Sequence, residues 1–133
     1  MKFLGKYGEH RVLVNLLAND IEAYPAIKIN QDSYDITAVL SLTKVVRIQV
    51  KSTVLGNKST NNQIGKLDRE FDFLVIVIEE ASECRFFILT RDEAVRLKGE
   101  NKHLATSYVV RKVFQVRPEL LAHEGKWVKI RDA

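Results

Sequence analysis

The residues best suited to chemistry lie on two neighbouring strand candidates. Gln49 and Lys51 are two positions apart in an alternating segment, so their side chains project from one face about 7 Å apart along the strand. Asp35 lies in the preceding strand candidate, and only a short turn separates the two strands. An antiparallel hairpin would bring the Asp35 carboxylate beside the Gln49 amide and the Lys51 ammonium. Hard oxygen ligands next to an ammonium group suit a divalent cation and a phosphate.

A further acid, Glu9, depends on a helix for its position. Apolar residues recur at helical spacing and predict a helix over residues 7–23. Pro25 closes this helix, because the residue before a proline avoids the helical region. Glu9 stands at the helix start and could supply an acid to the same surface. The helix dipole alone also favours an acid there, so both interpretations stay open.

The alternation of apolar and polar residues predicts which strand faces are buried. Val46, Ile48 and Val50 should share one face of their strand, opposite Gln49 and Lys51. In the preceding strand, Tyr34, Ile36, Ala38 and Leu40 should share a face. The predicted strands cover residues 26–30, 34–42, 45–51, 72–78, 84–89 and 108–116. The nearly all-apolar segment 72–78 is expected at the centre of the sheet.

Other elements follow from turn and capping signals. Thr90 and Glu93 have the spacing of a capping box at the start of a helix that ends near Lys98 and Gly99. Pro118 begins a short helix. Residues 52–65 are polar and predict a functional loop, residues 66–70 predict a helical turn, and Trp127 to Ile130 should pack on the body. The order of elements predicts an α/β or α+β fold, with a central mixed β-sheet flanked by helices.

Composition limits the class of protein. With 133 residues, one domain spanning residues 1–133 is expected. The net charge of +4 is compatible with a polyanionic partner. The single cysteine, Cys84, excludes an intrachain disulfide and suits a reducing compartment. Apolar runs are too short for a membrane span, so we expect a cytoplasmic protein without a membrane partner.

Three short motifs resemble the signature of the PD-(D/E)XK nucleases. They are Gly8-Glu9 on the first helix, Tyr34-Asp35 on the second strand, and Gln49-Val50-Lys51-Ser52 on the third. The apolar strand at 72–78 also resembles the family arrangement. The similarity spans about residues 5–98 and implies a restriction-endonuclease-like αβββαβ core, with residues 104–133 as a C-terminal extension. The family includes restriction endonucleases, Holliday junction resolvases and some homing endonucleases.

This resemblance implies a role for each motif residue. Asp35 would be the main ligand of Mg²⁺ or Mn²⁺, and Lys51 the catalytic lysine. Gln49 would occupy the position of the second acid, Val50 would offer its carbonyl oxygen to the metal, and Glu9 would position metal or water. The chain departs from the family pattern in Gln49, which is neutral and so binds a cation more weakly than a carboxylate does.

The implied activity is metal-dependent hydrolysis of DNA phosphodiester bonds. DNA contacts are expected from the motif strand and the polar loop after it: Arg47, Ser52, Lys58, Asn61 and Asn62. Because one small subunit presents one active site, a homodimer or larger homo-oligomer is expected. Because Gln49 is neutral and the net charge is modest, two alternatives stay open. One is a catalytically degenerate DNA-binding domain of the same fold, and the other is a protein-interaction or immunity module.

Overall fold

The computed structural model describes residues 2–27, 34–56, 63–65, 67, 70–81 and 83–133. The described elements in chain order are α1 Leu4–Ala18, β1 Glu22–Pro25, β2 Ile36–Ser41, β3 Lys44–Val54, β4 Gln63–Ile64, β5 Phe73–Glu80, β6 Glu83–Thr90, α2 Arg91–Lys98, β7 Leu104–Ala105, β8 Ser107–Val110, β9 Val113–Val116, a 3-10 helix Pro118–His123 and α3 Val128–Arg131.

The central sheet has five strands in the order β1-β2-β3-β5-β6. Neighbouring strands are antiparallel except β3 and β5, which run parallel. Two smaller sheets pair β4 with β7 and β8 with β9. The predicted fold class, a mixed sheet flanked by helices, is therefore confirmed.

A buried cluster covers each face of this sheet. On the α1 face, Val12 and Leu16 of the helix join Ile48 and Val50 of β3 and Val75 of β5. On the opposite face, the cluster combines alternate β5 residues with Ala94 of α2 and Leu120 of the 3-10 helix. The buried alternation of Val46, Ile48 and Val50 is as predicted, and β5 is buried on both faces, as its composition indicates.

The first helix differs from its predicted bounds. Helix α1 ends at Ala18, because Asn19 caps it and Asp20 adopts a left-handed φ of 60°. The segment then continues as strand β1, in which Ala23 is buried between exposed neighbours. Ile21 and Ala23 satisfy both helical and strand spacing, which misled the prediction of a helix to residue 23. The strand predicted at 26–30 was also wrong where it is described, since Ala26 and Ile27 are not in a strand.

Two further segments differ from prediction. Strand β3 continues through Val54, where a loop from residue 52 was expected. Residues 108–116 form the β8–β9 hairpin instead of one strand, and Arg111 and Lys112 make its turn. Neither residue is a usual hairpin-turn residue, so no sequence signal marked the reversal. Of the helical turn predicted at 66–70, residues 66, 68 and 69 lie outside the described residues.

The C-terminal part of the chain is built into the body. Trp127 and Ile130 belong to the cluster on the α1 face, as their predicted packing requires. The Arg85 guanidinium donates two hydrogen bonds of 2.8 Å to the Glu124 carboxylate. The capping box at Thr90 and Glu93 is also confirmed, and α2 ends at Lys98 as predicted. No helix in the described part of the chain is both long and apolar enough to span a membrane.

Candidate active site

Asp35 stands where the pairing between β2 and β3 ends. The last described pair of this ladder is Ile36 with Ile48. Beyond it, the Asp35 backbone N–H donates to the Ile48 carbonyl at 2.8 Å, and the Asp35 side chain accepts a 2.8 Å hydrogen bond from the Val50 N–H. The Asp35 carboxylate therefore accepts the hydrogen bond from the Val50 N–H that a backbone carbonyl of the neighbouring strand would otherwise accept.

The same geometry brings a second oxygen to this point. A strand residue directs its N–H and its C=O toward the same neighbouring strand. The Val50 carbonyl therefore projects from the edge to which Asp35 binds. The Asp35 carboxylate and the Val50 carbonyl are two oxygen donors at one place on the strand, as the sequence motif implies for a metal site.

Gln49 and Lys51 project from the face of β3 opposite Val50. One register step beyond the Ile36–Ile48 pair puts Asp35 opposite Gln49. Gln49 is 4% exposed, and its Oε1 has no hydrogen-bond partner among the described residues. A buried polar oxygen without a partner is unfavourable, which makes this atom suited to a ligand that the described residues do not provide. Lys51 is half-buried two residues further along the strand.

Glu9 reaches the site from the helix side. A cavity of about 240 Å³ lies between α1 and the start of β2 and is lined by Lys6, Glu9, His10, Leu13, Pro25, Ala26, Asp35 and Ile36. Glu9 and Asp35 therefore face one cavity. The Glu9 side chain is 15% exposed, and its Oε2 lies 3.4 Å from the Lys6 ammonium. The structure thus brings together the two acids that the sequence placed 26 residues apart.

His10 also lines this cavity. Its Nδ1 lies 2.8 Å from the Lys6 carbonyl oxygen. Adjacent helix positions diverge by about 100°, but this cavity is lined by both Glu9 and His10.

The donor set suits a hard cation. The candidate ligands are carboxylate, amide and carbonyl oxygens, which Mg²⁺ and Mn²⁺ prefer. Within the described ranges, no three or more His, Cys, Asp or Glu residues gather as a metal-binding group. The buried Gln49 Oε1, which has no hydrogen-bond partner among the described residues, fits such a donor set.

Gly8 sets how closely α1 approaches strand β3. A Cβ atom at Gly8 would overlap Ser52 Oγ and lie 3.1 Å from Ser52 Cβ. Only glycine permits this contact, and the position of the next residue, Glu9, depends on it. The Ser52 hydroxyl is buried here and has no hydrogen-bond partner among the described residues. This position favours a packing role over the DNA contact expected of Ser52 from the sequence.

Comparisons with known proteins bear on the fold. No family model matches the sequence, and no curated protein matches it. Eight chains of solved structures do match. One is a bacterial homing endonuclease, I-Ssp6803I, with a TM-score of 0.68 and 16% identity, over 99% of this chain and 93% of that chain. The two chains share a fold. At this identity the likeness concerns architecture, and it extends through the C-terminal residues that the sequence motif did not cover.

The predicted DNA-contacting residues have different surroundings. Lys58, Asn61 and Asn62 lie outside the described residues. The Arg47 backbone N–H donates to Asp72 Oδ2 at 2.7 Å, and its guanidinium lies 3.3 Å from the same atom. Sequence reasoning missed this pair, because only the parallel register of β3 and β5 brings residues 25 positions apart into contact. Arg47 therefore has a structural partner, and its DNA contact stays a prediction.

The Arg47–Asp72 pair is expected to make the free energy of unfolding depend on pH in the acidic range. Burial opposes ionisation of Asp72, but the hydrogen bonds from Arg47 outweigh it and hold the pKa of Asp72 below its ordinary value. A lowered pKa contributes stability above the unfolded-state pKa of about 3.9, and that stability is lost as pH falls through the folded-state pKa. Asp72→Asn should therefore lower the free energy of unfolding at neutral pH and have a smaller effect in acid. Urea unfolding from pH 7 to pH 3 measures this; a difference that stays constant with pH would contradict it.

Proposed function

We propose that this chain is a metal-dependent endonuclease that hydrolyses DNA phosphodiester bonds. The observation that carries the proposal is the Asp35 carboxylate bound to the Val50 N–H, on the strand that also holds Gln49 and Lys51. The fold shared with a homing endonuclease supports it. The same residues support membership of the PD-(D/E)XK nucleases, in a variant with glutamine at the second acidic position.

Asp35, Gln49 Oε1 and the Val50 carbonyl would hold Mg²⁺ or Mn²⁺, and Glu9 would approach Asp35 from the cavity on the α1 side. A bound cation would supply a Lewis acid for the phosphoryl oxygen and a water of lowered pKa. The remaining contributions to the reaction come from side chains of the protein. Asp35 is held in place by the Val50 N–H, so its carboxylate orientation is set before substrate binds.

Lys51 and Glu9 have complementary roles in the proposed reaction. The Lys51 ammonium neutralises charge that develops on the phosphoryl oxygens as water attacks the phosphorus. Glu9 accepts a hydrogen bond from the attacking water and orients it in the cavity. As the water oxygen bonds to phosphorus, the P–O bond to the 3′ or 5′ oxygen breaks. The attacking water loses a proton to solvent, and the leaving oxygen gains one from solvent to become a hydroxyl group.

Cleavage assays test this proposal directly. Purified protein is incubated with duplex, branched and single-stranded DNA and with RNA, in Mg²⁺, in Mn²⁺ and in EDTA. Cleavage of DNA that requires a divalent cation is expected. DNA that stays intact under every metal, with binding retained, would instead establish the catalytically degenerate DNA-binding domain.

That degenerate domain is the second candidate, and a specific observation favours it. Gln49 is neutral, and in the described part of the chain no three acids, histidines or cysteines lie close enough together to hold a metal ion by themselves. Fewer charges weaken cation binding. The degenerate domain predicts DNA binding that weakens with salt and does not respond to metal, which separates it from the enzyme.

Gln49 is expected to decide whether the protein responds to metal. Gln49→Met removes the unpartnered oxygen at similar volume, so the free energy of unfolding in EDTA should stay within about 1 kcal/mol of the original or rise. Mn²⁺ at 100 times its dissociation constant should stabilise the original chain by about 2.7 kcal/mol. The Met variant should lose most of this increment, and Gln49→Glu should enlarge it.

Thermal unfolding with and without Mn²⁺ makes this measurement independent of any DNA substrate. Gln115→Met is the matched control, because Gln115 is an exposed glutamine on β9. It should leave the Mn²⁺ increment unchanged. An unaltered increment in Gln49→Met would mean that the cation binds elsewhere.

We propose a homo-oligomer for the active form, acting on DNA in the cytoplasm. Tyr7, Val14 and Leu17 are exposed large apolar residues of α1, on the surface opposite its buried Val12 and Leu16. A helix that is apolar on both sides usually has both sides covered. A second copy would cover the outer side and add the second site that cutting both strands requires. Sedimentation equilibrium measures the mass, and a strictly monomeric protein would contradict this assembly.

A further inference from the structure

The β8–β9 hairpin is a two-stranded sheet of its own, apart from the five-stranded sheet. Arg111 and Lys112 form its turn and are both exposed. Their φ values are 52° and 67°. Two consecutive left-handed residues are what a type I′ turn requires, and Asn-Gly satisfies that requirement with the least strain. Two long cationic side chains hold these positions instead, so stability of the turn does not explain their presence.

The charged residues of the hairpin segment itself all have one sign. Residues 104–117 include Arg111, Lys112 and Arg117 and no aspartate or glutamate. Arg117 is bound to Glu119 at the base of the hairpin. The two turn residues therefore present the unopposed positive charge of this segment at its outer end, which suits a polyanion.

The two faces of the hairpin differ. One face holds it to the body, where Val116 is buried in the core cluster on the α2 side. The other face carries Tyr108, Val110, Val113 and Gln115, paired across the two strands. Val110 is 39% exposed and Val113 58% exposed. This face combines apolar groups with hydrogen-bonding groups, as surfaces that read base edges do.

The hairpin is anchored close to the candidate active site. Phe114 packs beside Gly56, since a Cβ atom at Gly56 would lie 3.5 Å from the Phe114 ring. Gly56 follows Lys51 by five residues, a span of at most about 17 Å. That distance is about half a helical turn of B-DNA. A duplex at the site would therefore pass within reach of the hairpin.

We propose that the β8–β9 hairpin enters the major groove of a DNA duplex, with Arg111 and Lys112 binding phosphates or guanine edges at its tip. The major groove admits a two-stranded ribbon, and this ribbon has a cationic tip and an exposed mixed face. The proposal rests on the proposed function for its partner, a DNA duplex, but it does not require that the duplex be cut.

The test replaces the tip by the turn sequence that the backbone prefers. Arg111→Asn with Lys112→Gly removes two charges and relieves the left-handed strain, so thermal stability should be equal or higher. Binding is measured by fluorescence anisotropy in EDTA, with a labelled random-sequence duplex of three helical turns, over a range of salt concentrations. The variant should bind more weakly, and the slope of log affinity against log salt should fall by about 1.8 for two lost contacts. Arg96→Gln with Lys126→Gln is the matched control for charge, because both residues are exposed and neither is on the hairpin.

The outcomes separate this proposal from the nuclease proposal. Weaker binding and a smaller slope in the tip variant alone support the hairpin contact, even if no metal yields cleavage. Equal losses of duplex affinity in the tip and control variants would show that only the net charge of the protein matters. That result would overturn the proposal. Unchanged duplex binding, or an effect confined to single-stranded RNA or to self-association, would also overturn it, while cleavage in Mg²⁺ by the unaltered chain would leave the nuclease proposal standing.

Discussion

Asp35→Asn is expected to reduce metal-dependent DNA cleavage by about 10²–10³-fold while the protein stays folded. The asparagine oxygen can still accept the Val50 N–H that the carboxylate accepts at 2.8 Å. The substitution therefore removes the negative charge and keeps the hydrogen bond. Initial cleavage rates at saturating Mg²⁺ measure the effect, and circular dichroism with thermal unfolding verifies the fold.

Two further variants distinguish catalysis from packing at this position. Asp35→Ala also leaves the Val50 N–H unpaired, so it should lower the free energy of unfolding by about 1–3 kcal/mol in addition to the loss of cleavage. Asp132→Asn alters an exposed acid near the C-terminus and should change neither quantity. Cleavage that survives in Asp35→Asn at the original rate would assign the activity to another site or to a contaminant.

Gly8→Ala is expected to destabilise the protein by about 1–3 kcal/mol and to reduce cleavage as well. The new methyl group would overlap Ser52 Oγ, so α1 must move away from β3. Glu9 follows Gly8 directly and would move with the helix, away from the position it shares with Asp35. Urea unfolding and cleavage rates report the two effects separately.

A second glycine of the same helix supplies the control. Nothing lies within 4 Å of a Cβ atom at Gly5, so Gly5→Ala should leave stability unchanged or raise it by up to about 1 kcal/mol, as alanine does in helices. Ser52→Ala should partly rescue Gly8→Ala, because it removes the overlapping oxygen and leaves the two Cβ atoms 3.1 Å apart. Equal effects of Gly5→Ala and Gly8→Ala would show that the contact with Ser52 does not matter.

Local sequence patterns predicted several elements correctly because each pattern reports on a few adjacent residues. Alternation in β3 placed Val46, Ile48 and Val50 on the core side, and the capping box at Thr90 and Glu93 located the start of α2. Prediction failed where one pattern fits two structures. Ile21 and Ala23 suit helix or strand, and the turn at Arg111 and Lys112 has no glycine or asparagine to mark it.

The sequence also grouped Asp35 with Gln49 and Lys51, because a short hairpin leaves few possible registers between neighbouring strands. The observed ladder puts Asp35 one step beyond the Ile36–Ile48 pair, next to the motif strand. Tyr34 was expected to share the face of Ile36, but it packs against the cluster on the opposite face, since β2 begins only at Ile36.

By itself, then, the sequence determined the sheet-and-helix architecture, the buried face of β3 and the strand neighbours of the candidate site. The tertiary structure alone decided that Glu9 and His10 share a cavity with Asp35, that α1 rests on Ser52 through Gly8, and that Arg47 binds Asp72. The physical reason is the separation along the chain over which each interaction acts. Periodicity and capping act within a few residues, whereas helix placement and the parallel β3–β5 register are settled by packing the whole core.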